Sequence, residues 1–530
     1  MKMTIKLNAP GMTSLHKAGL AGLYMTLRTF DETNVKITGL DWQLGSTGVV
    51  LSWQDKASGA AFESLIEKSF LLDEGFIRLA GLEAQKPLTT EQKYHLYTVL
   101  LNSFLQFGPH RPTGNKRPLS YEVDNHLYWI KEFAPITKFR HQEALKDFID
   151  TTGKFKKSVE ASGWLYPGGG QRHVAHNDTK LNEPTEAALA LMFAPVGVIY
   201  YLLKSRAKGR KARLAMLVPE IQNLELYAEI RQAFAAQGVL DLTASSASDA
   251  ALRMITSIEA NRASNQFAEF TGGSFVCRII TFGIVSWNEK QKSRTYVRSV
   301  VSGQLPGLEN YRKADAIFKN RWQRIQAKHD RKGNQTEPER YFVTTYSARE
   351  FIADNIAQGR AWYHDLATYM SNKESREQLL YERKEINEMV EKASLSDQGD
   401  DQSERDFISV CHESWRRRLG KLGKRAAAEN TSFSSLVKKD AEKLRTALAR
   451  SKNADTLRET VVDFWARAGA NEALQGEGLI RLLPLFNEKN WRKTRDLALL
   501  ALISYQPQTA EEKEALNIAA VTDEEGEPNE

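Results

Sequence analysis

Between Phe407 and Tyr505, apolar residues return at three- and four-residue steps. Phe407, Val410, Cys411, Trp415 and Leu419 form one series; Leu457, Val461, Phe464 and Trp465 form another. That period keeps side chains on one face of an α-helix. It breaks at Thr431–Ser432, Asn453–Asp455, Gly469–Asn471 and Asn487–Asn490. Each break ends one helix and offers a side-chain oxygen to start the next. The stretch predicts a compact bundle of four or five helices with short loops.

Upstream the pattern changes. Residues 4–8, 47–54 and 75–80 alternate or are β-branched, which predicts strands. A helix capped by Ser14 is expected through Arg28, with others over 61–71, 90–106, 224–237, 247–261 and 347–392. The first carries Ala18, Gly19, Ala21 and Gly22, so a second backbone can approach it closely. The apolar run Ala187–Leu203 contains Pro195 and stops at Lys204, which fits buried core better than a membrane span. From there the expected layout is helix, basic turn, strand, the strand covering AMLVPEI. Phe275–Ile284 is a further β-rich run. The polar, acidic stretch LSDQGDDQSERD from Leu395 to Asp406 reads as a linker. The fold class is therefore α+β. A mixed α/β body over 1–395 is followed by an all-α helical bundle over 396–508, and an acidic, disordered tail occupies 509–530.

Charge sharpens this picture. The 530-residue chain is 42% hydrophobic and 26% charged, with a net charge of +7. Glu511–Glu530 holds eight acids and one lysine, a net −7, which leaves +14 on the rest. A body that basic favours a polyanionic partner. Two distant cysteines, Cys277 and Cys411, make no disulfide framework, and a reducing cytoplasm is the expected setting. The first residues lack an apolar signal region.

The cations fall in clusters. Residues 107–121, FGPHRPTGNKRPLSY, read as a rigid basic loop with Arg111, Asn115, Lys116 and Arg117, followed by Tyr121, Tyr128 and Trp129. Contact with a nucleic-acid backbone and a plain solvated loop both fit it. Residues 163–178 contain three consecutive glycines and Arg172 but lack the lysine of a phosphate-cradling loop. His173, His176 and Asp178 lie there without a second ligand cluster. Residues 204–213 place Lys204, Arg206, Lys208, Arg210, Lys211 and Arg213 in ten positions with no acid, which a phosphate partner explains. Gly272-Gly273 is either a groove-entering tip or a hairpin turn. Residues 288–298, with Arg294 and Arg298, and residues 312–332 interleave cations with Tyr and Trp, as backbone contact plus base stacking requires. In the terminal bundle Arg416, Arg417, Arg418, Lys421, Lys424 and Arg425 are expected to face a strand or its protein scaffold.

Catalytic patterns are sparse. No Ser/His/Asp elbow, CxxC pair, Walker lysine or dinucleotide fingerprint occurs. His329-Asp330 lies in a loop, and His364-Asp365 lies on an expected helix with His412 as a remote partner. A metal-dependent nuclease built on the latter, acting on DNA or RNA, is the alternative to a binder; an RNA-binding scaffold of another kind is a third reading. No catalytic residue, metal or cofactor is expected.

The N-terminal stretches LNAPGMTSLHKAGLAGLYMTLR, DWQLGSTGVVLSWQ and LIEKSFLLDEGFIRLAGL resemble the large subunit of type I CRISPR surveillance complexes, in particular the Myxan type found in type I-B systems, some of them transposon-associated. The resemblance implies a non-catalytic subunit of the RNA-guided Cascade complex. Its body would bind the 5′ handle of the guide RNA and read the motif flanking the target duplex (the PAM), so that an R-loop opens. Its helical end would resemble the separate small subunit, which in some systems arises from an internal start; Met370 and Met389 precede the bundle. Implied partners are guide RNA, double-stranded target DNA, the backbone and handle-binding subunits, small subunits and, in transposon-associated systems, transposition proteins. No membrane is implied.

Overall fold

The structure is a computed structural model. It describes residues 1–54, 58–83, 86–161, 163–167, 181–206, 212–259, 276–283, 296–301, 305–396, 401–469, 471, 474 and 477–516. The chain forms two compact units. The first takes in most of the chain up to Thr345; the second holds Leu305–Lys319 and the chain from Tyr346. Strands and helices mix in the first, and Gln402–Leu516 in the second is helical, as the pattern predicts.

The first unit is organised around helix Ser14–Glu32. Ala18, Leu20, Ala21, Leu23, Met25 and Leu27 are all fully buried. A helix apolar on every side must be surrounded. On one side lies an antiparallel sheet, Lys2–Lys6, Gly48–Trp53 and Leu40–Gly45 in that spatial order. On another lie helices Thr185–Met192 and Ala194–Gly197. The small residues admit these helices at backbone distance. A methyl added at Gly19 would stand 2.0 Å from the Ala190 carbonyl oxygen, and one at Gly197 would stand 1.8 Å from that of Ala18. Ser14 is not the cap, because Thr13 supplies it. The Thr13 hydroxyl accepts from His16 N–H, and His16 Nδ1 accepts from Thr13 N–H at 3.2 Å. Ser14 instead donates to Glu220 at 3.3 Å, beside the Lys17–Glu220 ion pair.

A five-stranded sheet completes this unit, in the order Thr243–Ala244, Ile199–Leu203, Ala212–Pro219, Val276–Gly283, Tyr296–Val301. The basic turn after Leu203 therefore joins two antiparallel strands, not a helix and a strand. Pro195 and Gly197 end the helical run, and Ile199-Tyr200-Tyr201 favours extended backbone. Helix Thr90–Leu101 also stops earlier than expected. Asn102 and Ser103 turn their side chains onto the carbonyls of Thr98 and Val99, which competes with further helix.

In the second unit the breaks seen in the sequence become caps. Ser432 accepts from Ser435 N–H to start helix Phe433–Arg450, and Asn453 accepts from Thr456 N–H to start Ala454–Ala468. Helices Gln402–Glu429, Glu477–Leu482, Trp491–Ser504 and Ala510–Leu516 complete the array. Trp415, Leu419, Leu422, Val437 and Tyr505 share one core. Residues 393–396 are tied down by side chains of this unit. Arg405 donates to Ala393 O at 2.8 Å, Trp362 to Ser394 O at 2.9 Å, and Tyr363 to Leu395 O at 2.6 Å. No helix among the described residues is long and apolar enough to cross a membrane.

A Gly19→Ala or Gly197→Ala chain should lose about 3 kcal/mol or more of stability in denaturant titration, because a backbone carbonyl cannot yield. Gly420→Ala, with open space around the added methyl, should be neutral or gain up to about 1 kcal/mol from helix propensity.

Candidate nucleic-acid interface

Residues 107–121 are not one loop. Gly108–His110 forms a 3-10 turn, and Arg117 begins strand Arg117–Val123, which pairs with His126–Phe133. The turn between them, Asp124-Asn125, has both residues at positive φ, 51° and 62°. That is the backbone of a tight hairpin, and the dipeptide was its sequence signal. The four polar side chains of this region behave differently. Half-buried Arg111 donates to Leu105 O at 2.6 Å, and burial holds its guanidinium below the usual range. Arg111 is thus a structural clamp. Lys116 pairs with Glu132, and Arg117 reaches Glu74 O at 3.0 Å. Asn115 is exposed.

This hairpin lies beside a second. Arg321–Ile325 pairs with Arg340–Thr344, and Lys328–His329 pairs with Gln335–Glu337. An aromatic seam joins the two. His126 stacks on Trp322 with centroids 5.1 Å apart, Tyr121 stacks on Tyr128 at 5.2 Å, and Arg340 lies over Trp129 at 5.2 Å. Tyr121, Tyr128 and Trp129 are therefore engaged with protein. At the far end, Asp330 accepts from Lys332 N–H and Asn334 N–H, closing the turn with Gly333 at φ +83°. His329-Asp330 thus shapes a hairpin tip. Arg331 and Lys332 stand exposed on that tip and make no ion pair among the described residues. The mixing of cations and aromatics over 312–332 was legible; their division into a seam and a tip was not.

Lys204 and Arg213 sit at the open end of the central strand pair. Lys204 N–H bonds to Ala244 O at 2.9 Å, and Arg213 occupies an irregularity in the strand between Ala212 and Leu214. Arg206 belongs to the second unit and is half-buried. Arg298 lies on strand Tyr296–Val301, opposite Ile279. Arg172, Lys208, Arg210, Lys211, Gly272, Gly273 and Arg294 lie outside the described residues, as do His173, His176 and Asp178.

The bundle cations are brought together on helix Gln402–Glu429, but most face carboxylates. Arg416 and Arg417 share Glu413 at 2.8 and 2.5 Å, and the Arg416 bond leads in pushing that carboxyl down to about 2. Arg418 grips Asp440 at 2.8 Å, Arg425 pairs with Glu429 at 2.9 Å, and Lys421 donates to Arg467 O at 2.8 Å. Lys424 is exposed and makes no ion pair among the described residues. An exposed pair such as Arg425–Glu429 is weak and screened by salt, so a polyanion can exchange for its carboxylate, whereas Arg418–Asp440 is half-buried.

His364-Asp365 does not lie within a helix. Asp365 is left-handed, at φ 59°, and precedes the short helix Leu366–Tyr369. Asp496 caps that turn: it accepts from Asp365 N–H at 2.8 Å and Ala367 N–H at 3.4 Å. His412 is half-buried, lies 3.0 Å from Ser504 Oγ, and desolvation pushes it down to about 4. Among the described residues no three His, Cys, Asp or Glu side chains are grouped to hold a metal. Cys277 and Cys411 are buried free thiols; burial raises both, Cys411 to about 12.

Two family descriptions match the chain: the DevT N-terminal domain over residues 4–192 and the DevT C-terminal domain over residues 396–530. CRISPR-associated protein Cas8a1/Csx13 of Myxococcus xanthus (strain DK1622) is 28% identical over 538 residues, covering 97% of this chain and 90% of that protein.

Burial raises Asp496 to about 6, against a usual value of 3.8. A carboxyl raised on folding adds stability while protonated and loses it as pH climbs from about 4 through 6. The protein should therefore lose on the order of 2 kcal/mol across that window through this residue alone. Asp496→Asn should flatten that part of the stability–pH profile, measured by denaturant melts from pH 4 to 7.

Proposed function

The chain belongs to the Myxan-type large-subunit family of type I CRISPR surveillance complexes, and on that premise we propose that it binds the guide-RNA 5′ handle and recognises the PAM-flanking duplex, so that R-loop formation starts. The observation that carries this reading is the span of the likeness, which runs through both compact units. In RNA-guided recognition, base pairing reads sequence while protein holds backbones and a short flanking motif. Such a subunit needs cationic surface and no bond-breaking group. The exposed Arg331 and Lys332 at a strand-paired tip, and Lys204 and Arg213 at the end of the central strands, supply surface of that kind. We assign duplex and handle contact to these and to the cluster Lys208, Arg210 and Lys211.

The partners in this reading are the guide RNA, the target duplex, the Cascade backbone and handle-binding subunits, and small subunits beside the helical end. Type I-B membership, and transposition proteins as further partners, belong to the same reading.

Lys208→Glu, Arg210→Glu and Lys211→Glu, combined in the assembled complex, should weaken target-DNA binding at least tenfold. The slope of log affinity against log salt should fall by about 2 to 3, one backbone contact per residue. Unchanged affinity and slope in a gel-shift titration would remove this cluster from the interface.

A further inference from the structure

In the first unit, helix Leu224–Ala235 buries Leu224, Tyr227, Ala228, Ile230, Arg231 and Phe234. Spacings of three and four put these on one face, so Arg231 is carried inward with its apolar neighbours. Tyr227 and Arg231, one turn apart, hold successive carbonyls of the segment before strand Ile199–Leu203. The Tyr227 hydroxyl donates to Gly197 O, and Arg231 Nε donates to Val198 O at 2.8 Å. Arg231 is only 4% exposed.

That one bond leaves most of the guanidinium unanswered. Among the described residues its terminal nitrogens make no hydrogen bond, and Arg231 makes no ion pair. The titratable groups around it bring no negative charge. Burial raises the Tyr200 and Tyr227 phenols, so both are neutral. Burial, and after it repulsion from Arg231, pushes His95 down to about 4, so it too is neutral at pH 7. Desolvation holds the guanidinium itself below its usual range. A buried cation without a counter-charge is costly to keep.

Arg231 lines a cavity of about 30 Å³ between helices Thr90–Leu101 and Leu224–Ala235 and strand Ile199–Leu203. Leu96, Phe234 and Leu242 make its walls largely apolar. Gln92 also lines it but is engaged elsewhere: its amide donates to Ala236 O at 2.8 Å and its carbonyl accepts from Thr89 N–H at 3.0 Å. A second hollow adjoins the cavity, shares Leu82, Leu88, Gln92 and Ala235 with it, and includes the exposed Lys86. No Asp or Glu is among the described residues lining either.

We infer that this cavity binds one small monovalent anion, of chloride's size, against the Arg231 guanidinium. A single water needs about 10 to 15 Å³ of such space, so the cavity admits one small ion or two waters and excludes phosphate and nucleotides. Of the two occupants only the ion cancels the charge. Largely apolar walls favour a single negative charge, because stripping water from an ion costs more as its charge rises. The Arg231 donors supply charge-assisted bonds. None of the residues assigned above to duplex and handle contact takes part.

Chloride NMR and thermal melts of the full chain decide it. The chloride resonance broadens when the ion exchanges with a protein site, and bromide should compete and narrow it again. In melts at constant ionic strength, chloride replacing the bulky gluconate should raise Tm by about 2 to 4 °C and then level off, as saturation of one site requires. Arg231→Gln should abolish both responses. Should that variant fold poorly, Ala235→Leu adds bulk to a half-buried position on the cavity wall, leaves Arg231 in place, and should remove at least half of each. A Tm indifferent to chloride overturns the inference, with two waters as the occupant. So does line broadening equal in the unaltered chain and Ala235→Leu, or broadening kept in full by folded Arg231→Gln.

Discussion

The first unit depends on one close approach. Helix Ser14–Glu32 touches helices Thr185–Met192 and Ala194–Gly197 backbone to backbone, with no side chain between them at Gly19 and Gly197. That contact lets the helix be enclosed on every side over Ala18–Leu27. The strands follow from it: Ile199–Leu203 leaves Gly197 in a fixed direction, and Ala212–Pro219 returns antiparallel beside it. Polar links around the helix start reinforce this. His16 caps through Thr13 on one ring nitrogen and faces Glu183 at 3.6 Å with the other.

Charge is divided in two ways over the surface. On helix Gln402–Glu429 the arginines are matched by Glu413, Glu429 and Asp440, so the helix is locally close to balance despite its basic sequence. On the hairpin tip and at Lys424 the cations stand without such partners among the described residues. A residue count of Lys and Arg treats both alike. The structure separates positive charge already answered within the protein from charge left exposed without an ion-pair partner among the described residues.

Much of the architecture was readable in the chain. The bundle was legible because its breaks are polar caps, and Ser432 and Asn453 cap as their type predicts. The glycines of the first helix announced a close neighbour, though not which one. Legibility failed where local pattern competes with pairing partners far away. Arg117–Val123 looks like loop because Pro118 and the polar Arg117, Ser120 and Glu122 hide its alternation; only its partner strand and the Asp124-Asn125 turn reveal it. Strand Ile199–Leu203 was hidden inside an apolar run whose first half is helical. The candidate site was legible as clusters of cations, but a sequence does not show that Arg111 is committed to a carbonyl or that Trp129 is covered by Arg340.

The pinning of residues 393–396 has a practical meaning. Arg405 holds the carbonyls of Val390, Glu391 and Ala393 and also grips Asp401, while Leu395 N–H bonds back to Asp401. The chain is thus moored on both sides of positions 397–400. A peptide tag or fluorophore loop spliced between these moorings changes only local length: closing a longer loop costs little, and the packed helices on either side keep their registers. That makes the position one where added chain length costs the second unit little.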